Sequence, residues 1–92
     1  MPRPSAYSLP PTLTAENAAS LRDELLRARP TTLDASGVTH IGTPGIQVLL
    51  AFSRHMHEEG TSITVKGMSE VLQEALRDLG ISTDPEQWVK DS

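Results

Sequence analysis

The sequence predicts a small α/β domain, and three observations carry that expectation. Short β-branched runs alternate with longer segments of helical periodicity, and glycine and proline punctuate the joins between them. The third is length: 92 residues hold one compact unit where an ordinary domain runs to roughly 100–200. Strands that alternate with helices call for parallel crossovers, and so for one small sheet flanked by helices.

Pro10 and Pro11 interrupt the first segment, which limits residues 7–9 and 12–13 to short edge strands. Thr14 suits the N-cap of a helix over 15–29, its hydroxyl able to accept from a first-turn N–H. Ala18, Leu21, Leu25 and Ala28 draw one apolar stripe along that helix, and Pro30 ends it. Residues 31–35 read as a strand and 36–42 as a loop carrying two glycines. A second helix is expected with Thr43 at its N-cap and Pro44 at N1, running to about Glu59 with Gly60 as the left-handed cap. Ile46, Val48, Leu49, Leu50, Phe52 and Met56 spread around it, so it is either sandwiched in the domain or shows part of its surface to a partner. Residues 61–66 are the clearest strand. Ser69 caps a third helix with Leu72, Ala75, Leu76 and Leu79 on one face, and Gly80 ends it with Ile81 set to meet Leu76. Asp84-Pro85-Glu86 starts a last helical turn that lets Trp88 and Val89 cover the core.

Composition narrows the function. Hydrophobic residues make up 37% and the only aromatics are Tyr7, Phe52 and Trp88, so Leu, Ile, Val and Ala must build the core. The absence of cysteine removes disulfides, thiolate nucleophiles and Cys-based zinc sites together. The net charge of −4 divides into +1 over residues 1–57 and −5 over 58–92, with no basic cluster to neutralise phosphates. Arg22, Arg27 and Arg29 are interleaved with Asp23 and Glu24 as on a solvated face, so no nucleic-acid partner is expected. The longest apolar run, Val48-Leu49-Leu50-Ala51-Phe52, is far short of the roughly 20 residues of a membrane span. Without a visible targeting segment, a cytoplasmic protein with no direct membrane insertion is the expectation.

Catalysis has little support. His55 and His57 lie about 200° apart around a helix and cannot share a metal. Asp34, Ser36, His40 and Thr43 contain the letters of a hydrolase triad but no GxSxG elbow accompanies them. Gly37, Gly42 and Gly45 match neither dinucleotide- nor phosphate-loop spacing. No enzyme activity, metal or cofactor is expected.

The segment that stands out is Val38-Thr39-His40-Ile41-Gly42-Thr43-Pro44-Gly45-Ile46, which leaves a strand and enters a helix. On one reading Thr43 is an ordinary cap, worth about 1 kcal/mol. On the other, a phosphate on Thr43 would be tolerated by the positive helix end and would repel a partner from an otherwise apolar, glycine-lined spot.

The stretch from Leu33 and Asp34 through Ile46 resembles the signature of STAS domains, the fold of bacterial anti-sigma factor antagonists. Leu76-Arg77-Asp78-Leu79-Gly80-Ile81 is similar to the family's third-helix ending, and Leu13-Thr14-Ala15 through Leu21 to its first-helix entry. The resemblance covers about residues 7–81, the core of a single 1–92 domain, with 82–92 as a tail or short helix. It implies a small mixed, mostly parallel four-stranded sheet flanked by three to four helices. It further implies a non-enzymatic switch in bacterial signal transduction, with Thr43 as the phosphoacceptor. The partner would be a kinase of the histidine-kinase-like ATPase fold, an anti-sigma factor or a chemotaxis component. The partner-binding residues would be His40, Gly42, Thr43, Pro44, Gly45, Gln47 and Val48, with Asp34 as the supporting acid or as a strand-end residue bonding loop amides. Gly42 stands where the family usually has Asp, and Pro44 where it has a second Ser. The alternative implied by lone members of the family is a structural subunit that braces the ATPase of a bacterial lipid ABC transporter.

Overall fold

The computed structural model describes residues 6–90, and within them strands and helices alternate as the sequence predicts. The strands are β1 (Tyr7–Ser8), β2 (Thr12–Leu13), β3 (Thr32–Asp34), β4 (His40–Ile41) and β5 (Thr64–Lys66). The helices are α1 (Ala15–Ala28), α2 (Thr43–Glu58), α3 (Glu70–Asp78) and α4 (Pro85–Lys90). In place of one four-stranded sheet, the described strands form two parallel ladders, one ordered β1-β3-β5 and one pairing β2 with β4. The proline pair is the physical reason: it interrupts the first strand, so Tyr7 pairs with Leu33 while Leu13 turns away to pair with Ile41. The stretch 36–42, expected as loop throughout, therefore contains the two residues of β4.

Helix ends follow local chemistry. At the start of α1 the Thr14 N–H donates to Asn17 Oδ1 at 2.9 Å, and the Asn17 N–H donates back to Thr14 O at 3.2 Å. The helix ends at a left-handed Arg29 (φ 49°) just before Pro30. Ser69 caps α3, its hydroxyl accepting from the Leu72 N–H at 3.2 Å. Both α2 and α3 close with the same paired bonds: Gly60 to His57 O and Thr61 to Met56 O, then Gly80 to Arg77 O and Ile81 to Leu76 O. Gly60 and Gly80 take φ of 85° and 73°, the left-handed values this ending requires.

The core is aliphatic as composition demands, with Leu13, Leu25, Leu33, Leu72 and Leu76 fully buried. α1 contributes Leu21 and Leu25 to it, Ala18 is half-buried, and Ala28, expected on the stripe, is exposed. α2 buries one face, Gly45, Ile46, Leu49, Phe52, Ser53 and Met56, and leaves Val48 and Leu50 half-buried. Among the described residues Ser53 is the one buried polar side chain, and its hydroxyl donates to Leu49 O at 2.9 Å. Trp88 brings α4 onto α2: its ring is buried, and its indole N–H donates to Ser82 O at 2.7 Å.

Candidate functional site

The turn from β4 into α2 is fastened to the chain just after the proline pair. The N–H groups of Thr39 and His40 both donate to Pro11 O, at 2.8 and 3.0 Å, and the Gly42 N–H donates to Leu13 O at 2.8 Å. Gly42 is thereby held extended (φ −121°, ψ 169°), and its carbonyl accepts from the N–H groups of Gly45 and Ile46. That makes Gly42 the N-cap of α2. Thr43, expected to be the cap, stands one residue inside, and Pro44 lies one position deeper than N1. The Thr43 side chain is exposed and makes no capping hydrogen bond. The reading of Thr43 as an ordinary cap is overturned by this shift of register.

Gly45 has a different job from its neighbours. A Cβ there would lie 2.5 Å from Leu13 O and 2.7 Å from Leu13 Cβ, so the hydrogen side chain is what lets the first turn of α2 touch β2. Gly45 is buried, and it seats the helix from within. The outward array is formed by exposed His40, Thr43 and Gln47, with Gly42, Pro44 and Val48 half-buried among them. The Thr39 hydroxyl donates to Pro11 O at 3.2 Å and lies 3.0 Å from His40 Nδ1.

Asp34 is held by its own loop. Its Oδ1 accepts from the Ser36 N–H at 3.0 Å and the Ser36 hydroxyl at 2.7 Å. Those two bonds, together with the positive charge of Lys66, hold the carboxyl below the usual aspartate range. Its hydrogen bonds thus go to residue 36 and not to the 40–48 turn, which is the loop-amide role considered for it. Ser36, Asp34 and His40 form no nucleophilic relay: Ser36 donates directly to Asp34, and His40 engages Thr39. Among the described residues no three His, Asp or Glu side chains gather to hold a metal ion. His55 instead meets Glu59 Oε2 at 3.5 Å, and Glu59 also pairs with Arg29. No helix among the described residues is long and apolar enough to cross a membrane.

The sequence reading missed what anchors the turn, because the anchors are the backbone carbonyls of Pro11 and Leu13 and no side-chain pattern announces them. Thr39 lay inside the segment that stands out but was given no role, although a β-branched hydroxyl residue beside the only histidine of the loop was a signal to be had.

Residues 6–88 match the family model described as "Mlab, STAS domain". The chain therefore belongs to the STAS domain family, and the match spans most of its length. Comparisons with curated proteins and with solved structures gave no match. Family membership carries a regulatory, protein-interaction role, commonly with partners of kinase or ATPase fold.

Proposed function

We propose that this protein is a non-enzymatic bacterial interaction module whose β4–α2 turn and the exposed start of α2 form the partner-binding surface. The observation that supports it is the free Thr43 hydroxyl. It sits one residue past the N-cap, exposed and without a capping bond, so its presence there owes nothing to capping the helix start. His40, Thr43, Pro44, Gln47 and Val48 offer hydrogen-bonding groups around a small apolar patch. The partner is a histidine-kinase-like ATPase-fold kinase, an anti-sigma factor or a chemotaxis component, with Thr43 as the phosphoacceptor that switches binding off. Nearly two added negative charges at Thr43 would repel a partner without unfolding the domain.

A second reading has its own support. Pro44 brings no N–H to the first turn of α2, and the N–H groups of Gly42 and Gly45 are already committed. A phosphate would find little of the amide cradle that a helix start usually offers. Gly42 also supplies no carboxylate beside the hydroxyl. These features favour a constitutive contact through the Thr43 hydroxyl, as in a structural subunit bracing an ABC transporter ATPase.

Affinity capture from native lysate with wild type, Thr43→Ala and Thr43→Glu, with mass spectrometry of bait and prey, separates the two. The switch predicts a kinase-type partner retained by Thr43→Ala, lost with Thr43→Glu, and phosphate mapping to Thr43. The subunit predicts an ATPase partner weakened by either substitution and no phosphate. Equal capture of the same partner by all three baits would remove the turn from the interface.

A further inference from the structure

We infer that the groove between α1 and α2 is a seat for an amphipathic, acidic helix of a partner protein. This inference extends the proposed reading of the turn, because the groove begins at residues of that turn. Two adjoining hollows, of about 380 and 200 Å³, run between the two helices and share Arg22 and Ala51. Ala15, Arg22 and Leu26 line the groove from α1, and Pro44, Val48 and His55 line it from α2. Its span, from Ala15 to Leu26, is a rise of 11 helical steps, or about 17 Å at 1.5 Å per residue. Three turns of a partner helix fill that length.

The occupant's conformation follows from hydrogen bonding. Both walls are helices whose backbone groups are bonded internally, so the groove offers no ladder to an incoming strand. An extended segment laid there would bury unpaired N–H and C=O groups, whereas a helix arrives with its own satisfied. Its charge follows from the lining. The ionisable groups along the groove are Arg22 and His55, although the chain as a whole carries −4. Arg22 is paired only with its immediate neighbour Asp23, at 3.4 Å with both side chains about 60% exposed, a contact too solvated to hold it. His55 meets Glu59 at 3.5 Å at the far end. A carboxylate on an incoming helix, placed between apolar contacts to Val48 and Leu26, would pair with Arg22 as water is excluded. Leu26, 39% exposed in the free protein, is covered in such a complex.

The test uses a displayed library of helical 16-residue peptides selected on the intact protein. The expected winners carry an apolar face with Glu or Asp one helical turn or two along it. Their affinity should fall at least tenfold for Arg22→Glu and for Ala51→Arg, and should return against Arg22→Glu when the peptide acid becomes Lys. Both altered side chains are on the surface, so circular dichroism should show unchanged folding. Winners without helical periodicity, affinity indifferent to both substitutions, or a wild-type dimer that Ala51→Arg splits into monomers would each overturn the proposal. Failure here is distinguishable from failure of the turn. A partner captured equally by wild type and Ala51→Arg but lost with Thr43→Glu removes the groove and keeps the turn.

Discussion

Gly45 shows at the scale of one residue how the site depends on a missing side chain. The nearest atoms to a Cβ there are backbone and Cβ of Leu13, which lies in a strand pinned between its ladder and the bond from Gly42. Such neighbours cannot swing aside, so Gly45→Ala should cost about 1–3 kcal/mol as overpacking, and Gly45→Val more. Gly42→Ala is the internal control: its Cβ would meet Pro44 Cδ at 3.7 Å, ordinary contact, and its φ of −121° suits any residue. Urea melts of the two variants check this, and equal midpoints would refute the seating role. Asp34 offers a second single-residue experiment. Its carboxyl is lowered chiefly by the Ser36 hydroxyl, so it favours the folded state at pH values above the ordinary aspartate range and loses that contribution as pH falls through the depressed value. Ser36→Ala should raise the Asp34 titration towards normal while the Ser36 N–H keeps part of the shift. The stability gap between variant and wild type should be present at neutral pH and close in acid. NMR titration of the Asp34 carboxyl with urea melts at two pH values checks both halves.

Among elements, those whose ends are set by local chemistry were legible, and those set by distant partners were not. Ser69 at the start of α3 and Gly80 past its end declare themselves in sequence because cap and left-handed turn are satisfied within a few residues. Removing the first should matter: Ser69→Ala orphans the Leu72 N–H and should cost about 1 kcal/mol, seen as a lower melting midpoint that Ser69→Asp restores. β4 was hidden for the opposite reason. Two residues carry no period, and His40 and Ile41 become a strand only because Thr12 and Leu13, nearly 30 positions earlier, pair with them. The start of α2 lies between these cases. Gly42 and Thr43 are both good N-caps by composition, and the choice falls to Gly42 because Leu13 O captures its N–H. The candidate site inherits that uncertainty of one residue. The segment 38–46 stood out in the sequence as the candidate, whereas the exposure of Thr43 and the burial of Gly45 required the tertiary contact with β2.

The whole molecule has a radius of gyration of 12.3 Å, in line with about 12 Å for a folded chain of this length, so α4 must belong to the packed unit and not trail from it. Its hold is Trp88, 3% exposed, together with the Arg54 side chain, whose Nε–H donates to Trp88 O at 3.3 Å. A domain of this size has about 5–14 kcal/mol of stability at the usual 0.05–0.15 kcal/mol per residue. Trp88→Ala, at about 3–5 kcal/mol for emptying a buried aromatic site, would consume a large part of it. The wild type permits a sharper experiment, because Trp88 is the only tryptophan and its fluorescence reports α4 alone, while far-UV circular dichroism reports every helix. If α4 is part of one cooperative core, the two signals should lose their native values at the same urea concentration with the same slope. A fluorescence transition at lower urea would mean that α4 undocks from α2 before the sheet yields, and that the core closes without it. The coincident outcome follows from the burial of Trp88 in the same core as α2, since undocking α4 would open Trp88 and the face of α2 beneath it to solvent.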